Sequence, residues 1–325
     1  MSVEISAIIP MFNEADLAAQ SVRRIEEQLE RVAVSFEVIC VDDGSSDGTA
    51  DVLAGIAAGD ERVVPVLLSR NFGKESAMTA GLDAARGEAV ILIDADMQHP
   101  PELIPEMVQR WREGYDVIEA RKSDRGREGL LYRAFSALFY RLIGRASGAD
   151  LRGSSDFKLL DRQAVDALRS LPERSRFFRG LVGWIGFRRT SIEFAVAERA
   201  GGRTSWSTGR LIRYAVGNIL SFSTFPLYLT AWIGLITTLL GVGLGAQTLY
   251  NYFAGNAVSG FTTVILLVIL FAGITLLAVG TVAVYLARAL EEIKRRPVYL
   301  VRRPRGIDRA SSRGVERETE DGTEP

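Results

Sequence analysis

Cysteine and histidine each occur once in the 325 residues, as Cys40 and His99. A single cysteine excludes an intrachain disulfide framework and any multi-cysteine zinc site. Cys40 lies in an apolar run and reads as a small buried residue. An excess of positive charge is also missing. The net charge is -1, which argues against a globally basic nucleic-acid binder, because duplex binding relies on many cations facing phosphate. Lysine is scarce: Lys74, Lys122, Lys158 and Lys294 are the only lysines among 39 basic residues, a bias of composition rather than of chemistry. The N-terminal residues lack the basic, apolar and small-residue series of a cleavable signal, so this part of the chain is expected to stay in the cytoplasm.

The most informative absence is internal. Between Arg213 and Arg288 there is no Asp, Glu, Lys or Arg. This gap lifts the mean hydropathy to +0.11 and rules out a simple cytosolic enzyme. It divides into two candidate spans, about Phe225 to Tyr250 and Thr262 to Ala287, separated by the polar, glycine-containing stretch Asn251 to Gly260. At about 1.5 Å rise per residue each would cross a ~30 Å hydrocarbon core with some tilt. The connecting loop has no Lys or Arg, whereas Arg210 and Arg213 precede the pair and Arg288, Lys294, Arg295 and Arg296 follow it. The positive-inside rule therefore puts the flanks, and with them both termini, in the cytoplasm. The basic stretch from 291 passes into a charged tail, from about Arg302 to Pro325, that is expected to be disordered.

Residues 1–205 read as an alternating α/β domain. Short β-rich runs (SAIIP from Ser6, FEVICVDD from Phe36, VVPVLL from Val63, AVILIDAD from Ala89, DVIEA from Asp116) alternate with helical patterns over Glu14 to Val32, Thr49 to Ala58, Lys74 to Arg86 and Pro101 to Glu113. That alternation is the mark of a mostly parallel sheet with helices on both faces. Two amphipathic helices are expected between this domain and the spans, at about 130–145 and 206–224. Arginine on their polar edges favours an interfacial position at a bilayer, although both could pack on the domain as surface helices.

In open parallel sheets ligands bind at the carboxyl ends of the strands. Asp94 and Asp96 project from the same side of the chain at one such end. Two converging carboxylates repel each other and are tolerated when Mg²⁺ or Mn²⁺ lies between them and a diphosphate; an isolated Asp-x-Asp could equally cap the next helix. Gln98 could add a neutral oxygen ligand, and His99 reads as a loop residue rather than a ligand. Of Asp42 and Asp43, one carboxylate could bind a ribose or a base N–H while the other caps the turn at Gly44 to Ser46. Capping alone would explain Asn13. Three strand ends with polar residues side by side argue for one nucleotide pocket.

The segments SAIIPMFNE, EVICVDDGSSDGT, LSRNFGKESAMTAGLDAARG, ILIDADMQHPPE and GSSDFKLLDR together resemble a family 2 glycosyltransferase with the GT-A fold. Within it the likeness is to the polyprenyl-phosphate branch, that of the dolichol-phosphate mannose synthases and bactoprenol glucosyltransferases. The resemblance implies that Pro10, Phe12 and Glu14, with Asp43 and Asp42, bind the nucleotide, and that Asp94, Ala95 and Asp96 form the metal and diphosphate motif with Gln98 as a further ligand. It places Arg121 near the diphosphate or acceptor phosphate, matches Arg133 loosely to an acceptor-phosphate arginine, and sets Asp156 and Lys158 at the donor and acceptor junction, with Asp156 as base or as positioning group. Arg199 and Gly202 fit a later phosphate-binding segment. Ser205 stands where that segment has lysine, and Arg203 is a candidate substitute.

The activity so implied is inverting, metal-dependent transfer of a hexose from a UDP-sugar to polyprenyl phosphate at the cytoplasmic face of the plasma (inner) membrane. Self-association through the membrane helices is a further expectation. The rival readings are a processive polysaccharide synthase, whose Gln-x-x-Arg-Trp motif does not occur here, and a catalytically idle adaptor or sugar-lipid translocation subunit, against which the retained Asp94, Asp96, Gln98 and Asp156 speak.

Overall fold

The computed structural model describes residues 3–32, 35–96, 98–122, 154–174, 176–194, 225–255 and 261–302. The first element is β1 (Ile5–Met11), followed by α1 (Ala15–Arg31), β2 (Phe36–Asp42), α2 (Thr49–Gly59), β3 (Val63–Leu67), α3 (Lys74–Ala84) and β4 (Ala89–Leu92). After a 3-10 turn at Pro101–Leu103 come α4 (Ile104–Arg112), β5 (Val117–Lys122), β6 (Ser154–Asp161), α5 (Arg162–Ser170), α6 (Phe178–Trp184) and β7 (Arg189–Phe194). Two long helices close the described chain, α7 (Phe225–Phe253) and α8 (Phe261–Ile293).

The strands form one sheet in the order β3-β2-β1-β4-β6-β5-β7. β1 pairs in parallel with β2 on one side and β4 on the other, and β2 with β3. β6 runs antiparallel to both β4 and β5, and β7 returns parallel to β5. β1 and β2 are covered on both faces, which is why they read as near-continuous apolar runs rather than alternating ones. One core lies under α1 and α4, around Ile5, Ile9, Ile25, Leu29, Ile91 and Phe157. The other lies under α3, α5 and α6, around Ile8, Val41, Met78, Leu160 and Leu181. Ala18, Val22, Ile25 and Leu29 give α1 its buried stripe at three- and four-residue spacing. Strand order reverses between β1 and β4, so the crevice at their carboxyl ends is the topological switch point at which such folds bind ligands.

The expected spans agree with α7 and α8, each longer than the sequence pattern suggests. Both are long and apolar enough to cross a membrane. They pack on one another, with the Phe271 ring over Gly241, and carry large apolar side chains outward, among them Leu239 at 63% and Leu276 at 72% exposure.

The sequence reading assigns no element to the basic stretch after α8, yet the chain turns there at Arg295 (φ 47°) and comes back to the domain. Val301 bridges Leu68 in antiparallel fashion, the Ser69 N–H donates to the Leu300 carbonyl (2.8 Å), and the Arg302 N–H donates to that of Leu67 (2.6 Å). The helical segments expected at 130–145 and 206–224 lie outside the described residues.

Candidate active site

The loops after β1 and β2 are built as one unit. Asn13 sits at φ 55°, a left-handed conformation that Asn tolerates. Its N–H donates to Ser45 Oγ (2.8 Å) and its Oδ1 accepts from the Ser46 N–H (2.9 Å), so its side chain ties the two loops together instead of capping α1. The Glu14 N–H donates to Thr49 Oγ1 (3.0 Å) and the Ala15 N–H to Asp47 Oδ2 (3.1 Å). At Gly44, φ is 69° and an added Cβ would collide with the backbone of Arg70, so the close approach of the third strand-end loop demands glycine.

The two acidic residues after β2 divide their work. Asp42 Oδ1 accepts from the Ser45 N–H (3.1 Å) and closes the turn. The Asp43 carboxylate accepts from the N–H groups of Phe72 (2.7 Å) and Gly73 (2.8 Å), clamping the loop between β3 and α3. Burial raises its pKa, outweighing those two hydrogen bonds.

Beyond β4 the chain turns through Asp94, Ala95 and Asp96. The turn is anchored by Ser21 Oγ of α1, which donates to the Ala95 carbonyl (2.7 Å). The Gln98 N–H donates to Asp96 Oδ1 (3.1 Å), so Gln98 meets the pair through its backbone. His99 is buried against the edges of the Phe157 and Phe194 rings, 5.9 Å and 5.7 Å between centroids. Its Nδ1 lies 3.7 Å from Asp94 Oδ2. Potential ligand atoms of Asp94, Asp96 and His99 all fall within 4.8 Å of one another. Two carboxylates and an imidazole are a donor set that suits a divalent cation, the carboxylates favouring Mg²⁺ or Mn²⁺. The sequence reading takes His99 as a loop residue; only the fold, by packing it between two rings of β6 and β7, turns it toward the acidic pair. Glu14 adds negative charge nearby, its pKa raised by burial and by Asp96 and Asp47.

A cavity of about 310 Å³ opens at this switch point. Its walls include Pro10, Phe12 and Glu14 after β1, Asp43 after β2, and Asp94, Ala95 and Asp96 after β4. Asn71, Gly73 and Lys74 enter from the loop that Asp43 clamps. Lys74 is the cavity residue that sequence reasoning passed over, although it stands in a quoted motif. Its Nζ lies 2.6 Å from Asp94 Oδ1 and 2.6 Å from Asp156 Oδ2, joining the acidic turn to β6. Burial would lower its pKa, but Asp156 and Asp94 outweigh burial and raise it. Asp156 is also held by Arg179 of α6, with Nε 2.5 Å from Oδ1 and Nη2 2.9 Å from Oδ2. Burial works to raise the pKa of Asp156, yet Arg179 and Lys74 together hold it well below the usual carboxylate range. Glu75, the next residue of α3, accepts from the Phe178 N–H (2.9 Å). Burial, and then Asp156, push its carboxyl up to about 7.

Lys158 lies beneath this cluster rather than on the cavity wall. It is fully buried, with Nζ 2.7 Å from Glu119 Oε1, and burial lowers its pKa against the pull of Glu119. The other oxygen of Glu119 faces Arg121 Nε at 3.5 Å, at the end of β5. Arg133, Arg199, Gly202, Arg203 and Ser205 lie outside the described residues.

The family model "Glycosyl transferase family 2" matches residues 6–168. An uncharacterized glycosyltransferase of Synechocystis is 39% identical over 303 residues, covering 93% of this chain and 95% of that protein. A prophage bactoprenol glucosyl transferase homolog of Escherichia coli is 35% identical, covering 93% and 99%. The bactoprenol glucosyl transferase of Shigella phage SfII is 34% identical, covering 93% and 98%. Among solved structures, a glucosyl-3-phosphoglycerate synthase from Mycobacterium tuberculosis, in complex with Mn²⁺, UDP and glucosyl-3-phosphoglycerate, is similar with a TM-score of 0.47 and 24% identity, over 67% of this chain and 79% of that one.

Proposed function

The chain belongs to glycosyl transferase family 2, and from that premise we propose that it transfers a hexose from a UDP-sugar, such as UDP-glucose, to polyprenyl phosphate at a membrane surface. The names of its phage and prophage relatives, bactoprenol glucosyl transferases, support a polyprenyl lipid acceptor and a glucosyl donor. The observation that carries the reading is the convergence, in one cavity at the switch point, of the acidic turn Asp94 to Asp96 with Lys74, which links it to Asp156.

In this reading Pro10, Phe12 and Glu14 border the nucleoside, and Phe12, 45% exposed, offers a ring face to it. Asp42 and Asp43 shape that wall through the backbone groups they hold. Asp94 and Asp96, with His99 or Gln98, would bind Mg²⁺ or Mn²⁺, which would supply positive charge to the diphosphate as it leaves. Lys74 adds a cation of its own on the same wall. Arg121, with Arg133 and Arg203, takes the acceptor phosphate, since guanidinium pairs with phosphate oxygens in a planar fork. Arg199 is assigned to the donor diphosphate on the family resemblance alone. Lys158 supports from below, its charge balanced by Glu119.

An oxygen of the acceptor phosphate forms the bond to the anomeric carbon as the bond from that carbon to the diphosphate oxygen breaks. This single displacement inverts the anomeric centre. A phosphate monoester, with a second pKa of about 6, already carries the electron pair the step needs at neutral pH. Asp156, its proton affinity depressed by two cations, is a poor general base; its part is to hold Lys74 and Arg179 in place.

α7 and α8 serve as two membrane spans, and the whole of 225–290 as the anchor of a catalytic unit at 1–205. The Arg174 N–H donates to Glu292 Oε1 (3.0 Å), which favours the end of α8 lying on the same side as the catalytic domain, the cytoplasmic side by the charge rule. Incubating the purified chain with radiolabelled UDP-glucose, polyprenyl phosphate and Mn²⁺ is expected to put label into the organic extract. Label that stays in water across a panel of nucleotide sugars would refute the reading.

A further inference from the structure

We propose that residues Tyr299 to Arg302, which follow the second apolar helix, are positioning residues of the donor cavity: a strap that holds the loop carrying Asn71, Gly73 and Lys74. The proposal rests on the donor reading of that cavity and extends it to a part of the chain remote in sequence.

The strap meets a need of the fold. β3 is the outer strand of its side of the sheet, and an outer strand presents unpaired N–H and C=O groups that must be covered. The Leu67 carbonyl and Ser69 N–H find their partners in the strap, at 2.6 Å and 2.8 Å. The mode is the addition of a short antiparallel strand to a sheet edge, in which main-chain hydrogen bonds provide the hold.

The bonded edge ends where the cavity begins. After Ser69 the chain passes through Arg70 and Asn71 to Phe72 and Gly73, whose N–H groups are fixed on the inner side by Asp43. Ser69 to Lys74 is thus a short loop gripped at both ends, by the strap outside and by a buried carboxylate inside. Side chains fasten the strap as well. The Tyr299 hydroxyl donates to Asp83 Oδ2 (2.9 Å) on α3, the helix that opens with Lys74, and its ring packs against the core under α3. Glu292, near the end of α8, accepts from the Arg174 N–H. The strap is therefore bonded at Ser69 and at Asp83, on either side of Lys74 in the chain, while Glu292 separately ties the end of the second apolar helix to the domain.

The test uses the full chain in lipid nanodiscs. Arg302→Pro removes the N–H that bonds Leu67 while permitting the extended backbone of the preceding residue; Tyr299→Phe removes only the bond to Asp83. Hydrogen exchange of the Ser69, Phe72 and Gly73 amides is read by mass spectrometry, and affinity for UDP with Mn²⁺ by titration calorimetry. In Arg302→Pro all three amides are expected to exchange faster and the UDP dissociation constant to rise by about tenfold, with the KM for polyprenyl phosphate unchanged. Tyr299→Phe should move the same quantities less. Faster exchange confined to Ser69, with UDP affinity as in the unaltered chain, would overturn the strap as a positioning device. If the unaltered chain bound no UDP, the donor reading would fail by itself, and the exchange of Phe72 and Gly73 would still decide whether the strap holds the loop.

Discussion

The α/β domain and the helix pair place their apolar residues in opposite directions. In the domain Ile5, Ile8, Ile9, Val38 and Ile39 are wholly withdrawn from solvent and charge is gathered at the strand ends. In α7 and α8 the large side chains point outward and charge is missing from the middle. Burial of a leucine stabilises by about 1.5–3 kcal/mol relative to exposure in water. A helix pair that leaves so many exposed gains from them only in hydrocarbon. In the proposed reading one chain therefore serves two solvents, water for the α/β domain and hydrocarbon for the helix pair.

The sharpest break in this contrast is expected at the charged end. Asp96→Ala should lower turnover on the order of a hundred- to a thousandfold and abolish the Mn²⁺ dependence of UDP affinity, whereas Asp156→Asn should lower turnover while leaving that affinity intact. Calorimetry with and without Mn²⁺ separates the two, and an unchanged metal dependence in Asp96→Ala would defeat the ligand assignment. A charge at the apolar end comes next. Leu239→Arg, mid-way along α7, should disfavour membrane insertion by about 2.5–3.5 kcal/mol, seen as loss from the membrane fraction; full insertion would mean that α7 does not face lipid. The smallest effect concerns Glu75. Its folded pKa of about 7 lies above the ordinary 4.5, so the folded state binds the proton more tightly. That stability is complete below the unfolded value and is lost as pH rises through the folded one. The melting temperature should fall by a few degrees between about pH 4.5 and pH 7, and Glu75→Gln should flatten that slope; equal slopes would show that Glu75 does not titrate there.

Five strands, four helices and two apolar helices were legible in the sequence, because each is a local pattern: β1 to β5 as apolar runs stopped by polar residues, α1 as a periodic stripe, α7 and α8 as stretches without charge. The acidic strand ends after β1, β2 and β4 were legible for the same reason. What was not legible depends on contacts distant in sequence. Nothing near Asp43 announces that its carboxylate is taken by the N–H groups of Phe72 and Gly73, and nothing near Lys74 announces two partners at 94 and 156. Lys158 was read as a site residue from the resemblance of the segment SDFK, and the pairing of β5 with β6, which sets it against Glu119, has no local signal in the sequence. The strap escaped because a short basic stretch carries no period; it becomes a strand only where β3 leaves an edge to complete. Two of the four lysines, Lys74 and Lys158, thus hold ion pairs that a compositional view of lysine passes over.

The reversed direction of β6 has a consequence for how such a protein can change. Because β5 runs toward the reacting edge and β6 away from it, residues 123–153 depart from that edge at Lys122 and rejoin it at Ser154, beside Asp156. An insertion or deletion between these two points leaves the register of β5 with β6, and of β6 with β4, as it is. The length of chain between these two strands can therefore vary like a fitting on a tool whose handle stays the same.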